Sequence, residues 1–332
     1  MRKYLIKKQK YTLLLIGLLA VSCEKKEEVG TTFDNNRINM VIADNFNLAN
    51  LNAVLRVSGL DKELQKENGP FTILAPSDAA FAIAGYSKPE HILAERASVI
   101  SNIGKYHTMD GFYELNKLPF LFNQELSTRG GKVFATHWVK GADTVLTLNG
   151  SRVVANNIPS SNGLIQVLDR VLTPYQHDKI ADAITADVNI TLFAQAIQRS
   201  GLKEQLDGEG PYTVFAPNND AMAELGYKTV QQIENADVTE LRKVVNYHIL
   251  RDRRFIYDYI LSAGPSNIAK QAMLDGNSMT VKLVPNPNSL GSFNGIVLRG
   301  IGNSKDINVV KQDILTGNGV LHIINETLRI TQ

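Results

Sequence analysis

Two stretches of the chain carry the same succession of apolar and polar positions. Each opens on a four-residue spacing, Leu51 and Leu55 in one and Phe193 and Ile197 in the other, which places each pair on one face of a helix. Ser58-Gly59-Leu60 and Ser200-Gly201-Leu202 follow, with glycine where a helix ends in left-handed backbone. A short, mainly apolar run comes next, residues 71–75 and 212–216, closed by Pro76 and Pro217, and it reads as a strand. Ser77 and Asn218 then stand as caps of new helices, with Asp78 and Asp220 where a helix start favours negative charge. An amphipathic segment bearing Ile92, Ile100 and Ile103, matched by Ile233, Leu241 and Val244, leads to Tyr106-His107 and Tyr247-His248. Beyond these pairs alternation takes over. Residues 145–148 and 152–155 flank Asn149-Gly150, a hairpin signal, and in the second stretch Asp275-Gly276 precedes residues 279–284. Helices first and strands second predict an α+β class with a largely antiparallel β core.

The duplication extends to residue identity. Gly69-Pro70-Phe71-Thr72 returns as Gly210-Pro211-Tyr212-Thr213, and Asn162-Gly163-Leu164-Ile165 as Asn318-Gly319-Val320-Leu321. Two tandem modules are expected, residues 38–175 and 177–331, joined by a connection short enough to restrict their relative motion. The extra residues of the second copy gather around Pro285-Asn286-Pro287-Asn288, a composition that predicts an exposed loop with Phe293 at its tip.

The amino terminus changes the picture of where the protein works. Arg2, Lys3, Lys7, Lys8 and Lys10 precede an apolar run, residues 13–21, that is too short to span a bilayer and has the layout of a secretory signal peptide. Leu19-Ala20-Val21-Ser22-Cys23 resembles the lipobox of bacterial lipoproteins, with Ala20 where leucine is usual, and Cys23 is the only cysteine among 332 residues. The expectation is a leader over residues 1–22, lipidation of Cys23, a charged tether over residues 23–37 and an outer-membrane location, with the membrane contacted through the anchor alone. Loss of the leader removes five basic and no acidic side chains and turns a net charge of +2 into −3, which disfavours nucleic acid as a partner.

The motifs resemble those of fasciclin-type domains. Thr72-Ile73-Leu74-Ala75-Pro76 followed by Ser77-Asp78-Ala79-Ala80-Phe81 matches the family's first signature. Tyr106-His107 and Tyr247-His248 match its central pair, and Asn318 to Asn325, with His322 in place, its last. In the first module Gln166 stands where that histidine belongs, Asp169 being kept; in the second, Asn325 replaces the usual aspartate. The resemblance implies a β-sandwich wedge decorated by helices and a role in adhesion or matrix and glycan contact, without catalysis or cofactor.

Candidate sites follow from what differs between the copies. Arg251, Arg253 and Arg254 succeed the second Tyr-His and could hold a carboxylate or sulfate of a polysaccharide. Asp313-Ile314 resembles the Asp-Ile segments of animal fasciclin-type adhesion proteins implicated in integrin contact. Phe293 in the second module and Phe112, Tyr113, Phe120 and Phe122 in the first offer aromatic faces to a partner. Pro76, Tyr106, His107, Asn162, Gly163, Pro217, Tyr247, His248, Asn318 and Gly319 read as structural, since no second ligand stands at metal spacing beside either histidine. No hydrolase or phosphate-loop motif is present. Surface binding of a polysaccharide or protein leads; an accessory subunit of an outer-membrane uptake complex is the alternative.

Overall fold

Apolar faces too narrow to form a core alone are stacked twice over in the computed structural model, which describes residues 34–289 and 291–331. The leader, Cys23 and most of the tether lie outside those residues. The first module starts with helices α1 (Ile38–Ala43), α2 (Ala49–Ser58) and α3 (Leu60–Lys66), then strand β1 (Phe71–Pro76). Helices α4 (Asp78–Ile83), α5 (Pro89–Ala94) and α6 (Ala97–Tyr106) follow. Strands β2 (Thr108–Asp110), β3 (Gln124–Thr128), β4 (Gly131–Lys140), β5 (Asp143–Leu148), β6 (Ser151–Ser160) and β7 (Gly163–Leu168) complete it.

The second module repeats this order. It comprises α7 (Ile180–Ala186), α8 (Thr191–Arg199), α9 (Lys203–Leu206), β8 (Tyr212–Pro217), α10 (Asn219–Glu224), α11 (Val230–Glu234), α12 (Val238–Asn246) and β9 (Ile249–Leu250). Helix α13 (Ile256–Ser262), where the first module has only a 3-10 turn (Leu115–Lys117), precedes β10 (Ile268–Ala272), β11 (Ser278–Pro285), β12 (Phe293–Arg299), β13 (Ile307–Thr316) and β14 (Gly319–Ile324). Among the described residues no single helix is long and apolar enough to cross a membrane.

Each module is built on one sheet, ordered β2-β1-β7-β6-β5-β4-β3 in the first and β9-β8-β14-β13-β12-β11-β10 in the second. The pairing is antiparallel except where the first and last long strands meet: β1 runs parallel to β7 and β8 to β14. That pair ties the beginning of a module to its end, a contact that no local periodicity announces. The sheet then folds on itself. Strand β6 pairs with β5 through Arg152 and Ser151 alone, and from Val153 onward with β7, so it passes from one layer to the other. Strand β13 does the same between β12 and β14.

This bend makes the wedge. Ile73 and Ala75 of β1 face the helices with Leu51, Leu55 and Ile100, whereas Leu74 points into the wedge with Val133, Ala135, Leu146 and Leu148. β1 is therefore buried on both faces, which is why it reads as a mainly apolar run, with Thr72 bonded to backbone at Gly111 and Tyr113. Gly163 and Gly319 stand at the start of the closing strands because a Cβ there would lie 2.0 Å from the Phe71 carbonyl and 2.4 Å from that of Tyr212.

The Asp275-Gly276 turn joins β10 to β11 directly ahead of residues 279–284, as its composition predicts, at an earlier hairpin of its module than Asn149-Gly150, which joins β5 to β6. Phe293 is not a loop tip: it is the first residue of β12, opposite Pro285, half-buried against the second module's wedge core. Asp78 stands in the first turn of α4, as expected, and serves a second helix as well. Its carboxylate accepts from the N–H groups of Ala49 and Asn50 at the start of α2, while Ser77 caps α4 through Ala80. In the second copy Asn219, not Asp220, takes that place by accepting from Leu192 N–H. An aspartate next to a cap is ambiguous in sequence because either helix end can use it.

Candidate functional site at the junction of the two modules

The recurring motif residues hold the fold together. Tyr106 donates its hydroxyl proton to the Lys132 carbonyl at 2.7 Å and accepts from Asn149, joining the end of α6 to β4 and the β5–β6 turn. Tyr247 does the same between Ser278 and Ile301. His107 bonds the Ile103 carbonyl through Nδ1 at 2.8 Å and accepts Leu172 N–H at Nε2. His248 bonds Val244 and Leu328 in the same manner. Both rings are fully buried, and desolvation pulls each down to about 4 against the backbone bond that favours the charged form, so they are neutral. Asn162 and Asn318 accept from Ile38 N–H and Ile180 N–H and donate to Leu64 and Leu206 carbonyls, tying the first helices to the last strand. Pro76 and Pro217 end β1 and β8, ahead of the caps Ser77 and Asn218.

One pair shows that the bonding pattern, not the residue, is what recurs. His322 accepts from Asp313 N–H at Nδ1 and bonds the Arg254 carbonyl through Nε2. In the first module Gln166 accepts from Asn157 N–H through Oε1 and donates to the Tyr113 carbonyl through Nε2. An amide thus reproduces one acceptor and one donor of a neutral imidazole. Asn157 and Asp313 share the same left-handed backbone, φ 54° and 59°.

The side chains that distinguish the second copy converge elsewhere, on the seam between the modules. Arg253, read from sequence as a ligand-binding residue, is buried and unavailable to an external ligand. Its guanidinium donates to the carbonyls of Thr316, Gly319 and Gly317 and lies 3.8 Å from the Phe134 ring centroid of the first module. Desolvation lowers it to about 10, still charged at neutral pH. Arg254 pairs with Asp252 and stacks over Phe122 at 5.0 Å. Arg251 alone of the three is exposed, so they form no common anion site. Phe293 lies 5.7 Å from the Lys140 ammonium, and that ammonium donates to the Ala263 carbonyl at 2.6 Å.

Asp313 and Ile314 are also drawn inward. Asp313 accepts from Ile256 N–H and meets Arg170 at 3.4 Å, while Ile314 packs against the helical core of the second module. Neither side chain is displayed as an adhesive motif. Phe112 and Phe120 are exposed, the latter stacked on His137.

The residues that local sequence did not single out belong to α13. Asp258 is fully buried and accepts from Phe255 N–H of its own helix, from Thr136 Oγ1 at 2.9 Å and from Asn123 Nδ2 at 3.1 Å in the first module. Burial raises its carboxyl to about 6. Asp313 is raised to about 6 for the same reason. A carboxylate three residues after a helix start signals capping, but nothing local says that its second oxygen will cross to another module.

Beside this seam opens a cleft of about 570 Å³, walled by residues 170–177 of the connection, the end of α7 and the part of β13 around Gln312. Among the described residues no group of three or more His, Cys, Asp or Glu side chains could hold a metal ion.

Comparisons with known proteins bear on what such a pair of modules is. A family model described as Fasciclin domain matches residues 46–174 and 188–330. Transforming growth factor-beta-induced protein ig-h3 of Sus scrofa is 26% identical over 274 residues, 78% of this chain and 35% of its own. Periostin of Homo sapiens is 31% identical over 196 residues, 59% of this chain and 21% of its own. The chain spans about a third or less of the length of these relatives. A solved FAS1 domain pair from the insect cell adhesion molecule Fasciclin I aligns over 85% of this chain and 97% of its own, at 17% identity and a TM-score of 0.41.

Proposed function

The chain belongs to the fasciclin-domain family, and on that premise we propose that it is a lipid-anchored adhesion or binding protein of the outer membrane, presenting two docked modules to a surface polysaccharide or protein. One observation carries the reading. The tyrosines, histidines and asparagines that recur in both copies are buried and bonded within the fold, so the shared residues make a scaffold and not a reaction centre. What is left to contact a partner is the surface where the copies differ, including the seam and its cleft. The basic leader followed by Leu19-Ala20-Val21-Ser22-Cys23 supports anchoring through Cys23.

Two measurements test this. Cys23→Ser is expected to abolish incorporation of labelled fatty acid and to move the protein from the membrane to the soluble fraction; retention in the membrane would refute the anchor. A panel of polysaccharides and surface proteins is expected to yield saturable binding by the purified chain. Silence across the panel, together with co-purification of a β-barrel partner in mild detergent, would replace adhesion with the uptake-accessory role.

A further inference from the structure

We propose that the cleft between the modules is a binding site for an acidic sugar unit, a uronate within a surface polysaccharide; this rests on the adhesion reading above and names its ligand. A regular strand sends successive side chains to opposite faces. Strand β13 breaks that rule, because its pairing slips between Lys311 and Ile314 and Asp313 adopts φ 59°. Five consecutive residues, 311–315, line the same cleft, and the polar ones among them are Lys311, Gln312 and Asp313. The first module has a bulge at the same place in β6, but there it carries Ala155, Asn156 and Asn157 and no cation.

The two ion pairs in the cleft are asymmetric in exposure. Arg170 and Lys311 side chains are 40% and 55% exposed, while the acids they meet, Asp313 and Asp187, are 10% and 12% exposed. The cleft thus turns positive groups toward solvent and keeps the negative groups behind them. Arg170 meets Asp313 only at 3.4 Å, and with its amide oxygen turned to Arg170, Gln312 accepts at 2.8 and 3.3 Å, which fixes the guanidinium in place. A carboxylate is the natural complement of a positioned guanidinium and a nearby ammonium.

The rest of the lining selects the scaffold bearing that carboxylate. Gln176 supplies an amide suited to hydroxyls, and Pro174 supplies an apolar surface suited to the C–H face of a pyranose ring. A volume of about 570 Å³ accommodates a short oligosaccharide segment. Both modules and their connection form the walls, so neither copy alone contains the site.

The test is calorimetric titration of the purified chain with galacturonate oligomers, the same oligomers methyl-esterified, and poly-glutamate, at low and physiological salt. Binding of the free uronate, weakened at least tenfold by esterification and by added salt, is expected. Lys311→Ala should weaken it at least tenfold, and Ala186→Trp, at an exposed wall position, should block it, with cooperative melting retained in both. Equal binding of poly-glutamate would overturn the sugar assignment. Binding indifferent to both variants would overturn the location. No uronate binding, while another polymer of the wider panel does bind, would sink this inference and leave the adhesion reading standing; silence from every ligand would remove both.

Discussion

At the residue scale, a neutral imidazole and a primary amide serve the same purpose in the two modules. His322 and Gln166 each take one backbone N–H and bond one backbone carbonyl from a fully buried site. His322→Gln is therefore expected to fold with a loss of no more than about 1 kcal/mol in urea unfolding at pH 7, well below an ordinary buried-polar deletion. The variant also tests protonation. Burial holds His322 at about 4, so an unfolded chain binds a proton near 6.5 that the folded chain refuses. That single group removes stability on the order of 3 kcal/mol as pH falls from 6.5 to 4, and the glutamine variant should lose correspondingly less. An unchanged acid limb in H322Q would contradict the assignment. Arg253 is the opposite case, because no smaller residue reproduces its three carbonyl bonds and its stacking on Phe134. Arg253→Ala should cost about 2–4 kcal/mol, and Arg253→Lys most of that, since an ammonium lacks the planar fork.

At the scale of elements, α13 is what distinguishes the second module and what joins the two. Its first turn is held by two carboxylates, Asp258 on Phe255 N–H and Asp313 on Ile256 N–H, and Asp258 reaches on to Thr136 and Asn123. The turn between β5 and β6 meets the same spot. A Cβ at Gly150 would lie 3.0 Å from Phe255 Cβ and 3.2 Å from Asp313 Oδ2, at a φ of 78° that already requires glycine. Gly150→Ala is expected to destabilise by about 1–2 kcal/mol from the backbone alone, and to loosen the seam as well. Asp258→Ala leaves the Thr136 hydroxyl and the Phe255 N–H without their buried acceptor, at about 1–3 kcal/mol, while Asn123 keeps the Arg253 carbonyl. Calorimetric melting should show the seam directly: one transition in the natural chain, and a split into two in Asp258→Ala. A single unsplit transition at an unchanged temperature would mean that α13 does not couple the modules.

At the scale of the whole molecule, proton balance sets the pH range of stability. Three buried histidines, His107, His248 and His322, are held down to about 4, so each makes folding less favourable as pH falls from 6.5 toward 4. Asp258 and Asp313 act the other way. Raised to about 6, they keep protons in the folded chain that the unfolded chain releases near 3.8, so their ionisation lowers stability as pH rises through that window. Three groups against two over nearly the same range leave a net loss on acidification, and the melting temperature should fall between pH 6.5 and 4.5. A melting temperature that rises over that interval would mean that the carboxylates of the seam dominate. Docked modules also scatter as one body. Small-angle scattering should fit a single rigid pair, and Arg253→Ala or Asp258→Ala should broaden the distance distribution if the seam is what restrains it.

Legible in the order of residues were the duplication, the α+β class, the strand bounded by Pro76 or Pro217, the helix stops at Gly59 and Gly201, and the structural character of Tyr106, His107, Tyr247 and His248. Each of these is written in neighbouring residues: apolar spacing, glycine at left-handed backbone, and a repeated polar side chain among apolar ones. Only packing brings β1 parallel to β7, turns the Asp78 carboxylate to the start of α2, and places Arg253, Asp313 and Phe293 in the seam. A charged or aromatic side chain after a turn has the same local signature whether solvent or another module covers it. Arg253 satisfied three carbonyls more than sixty residues away along the chain, and burial of that kind is a property of how two sheets meet, which no window of sequence contains.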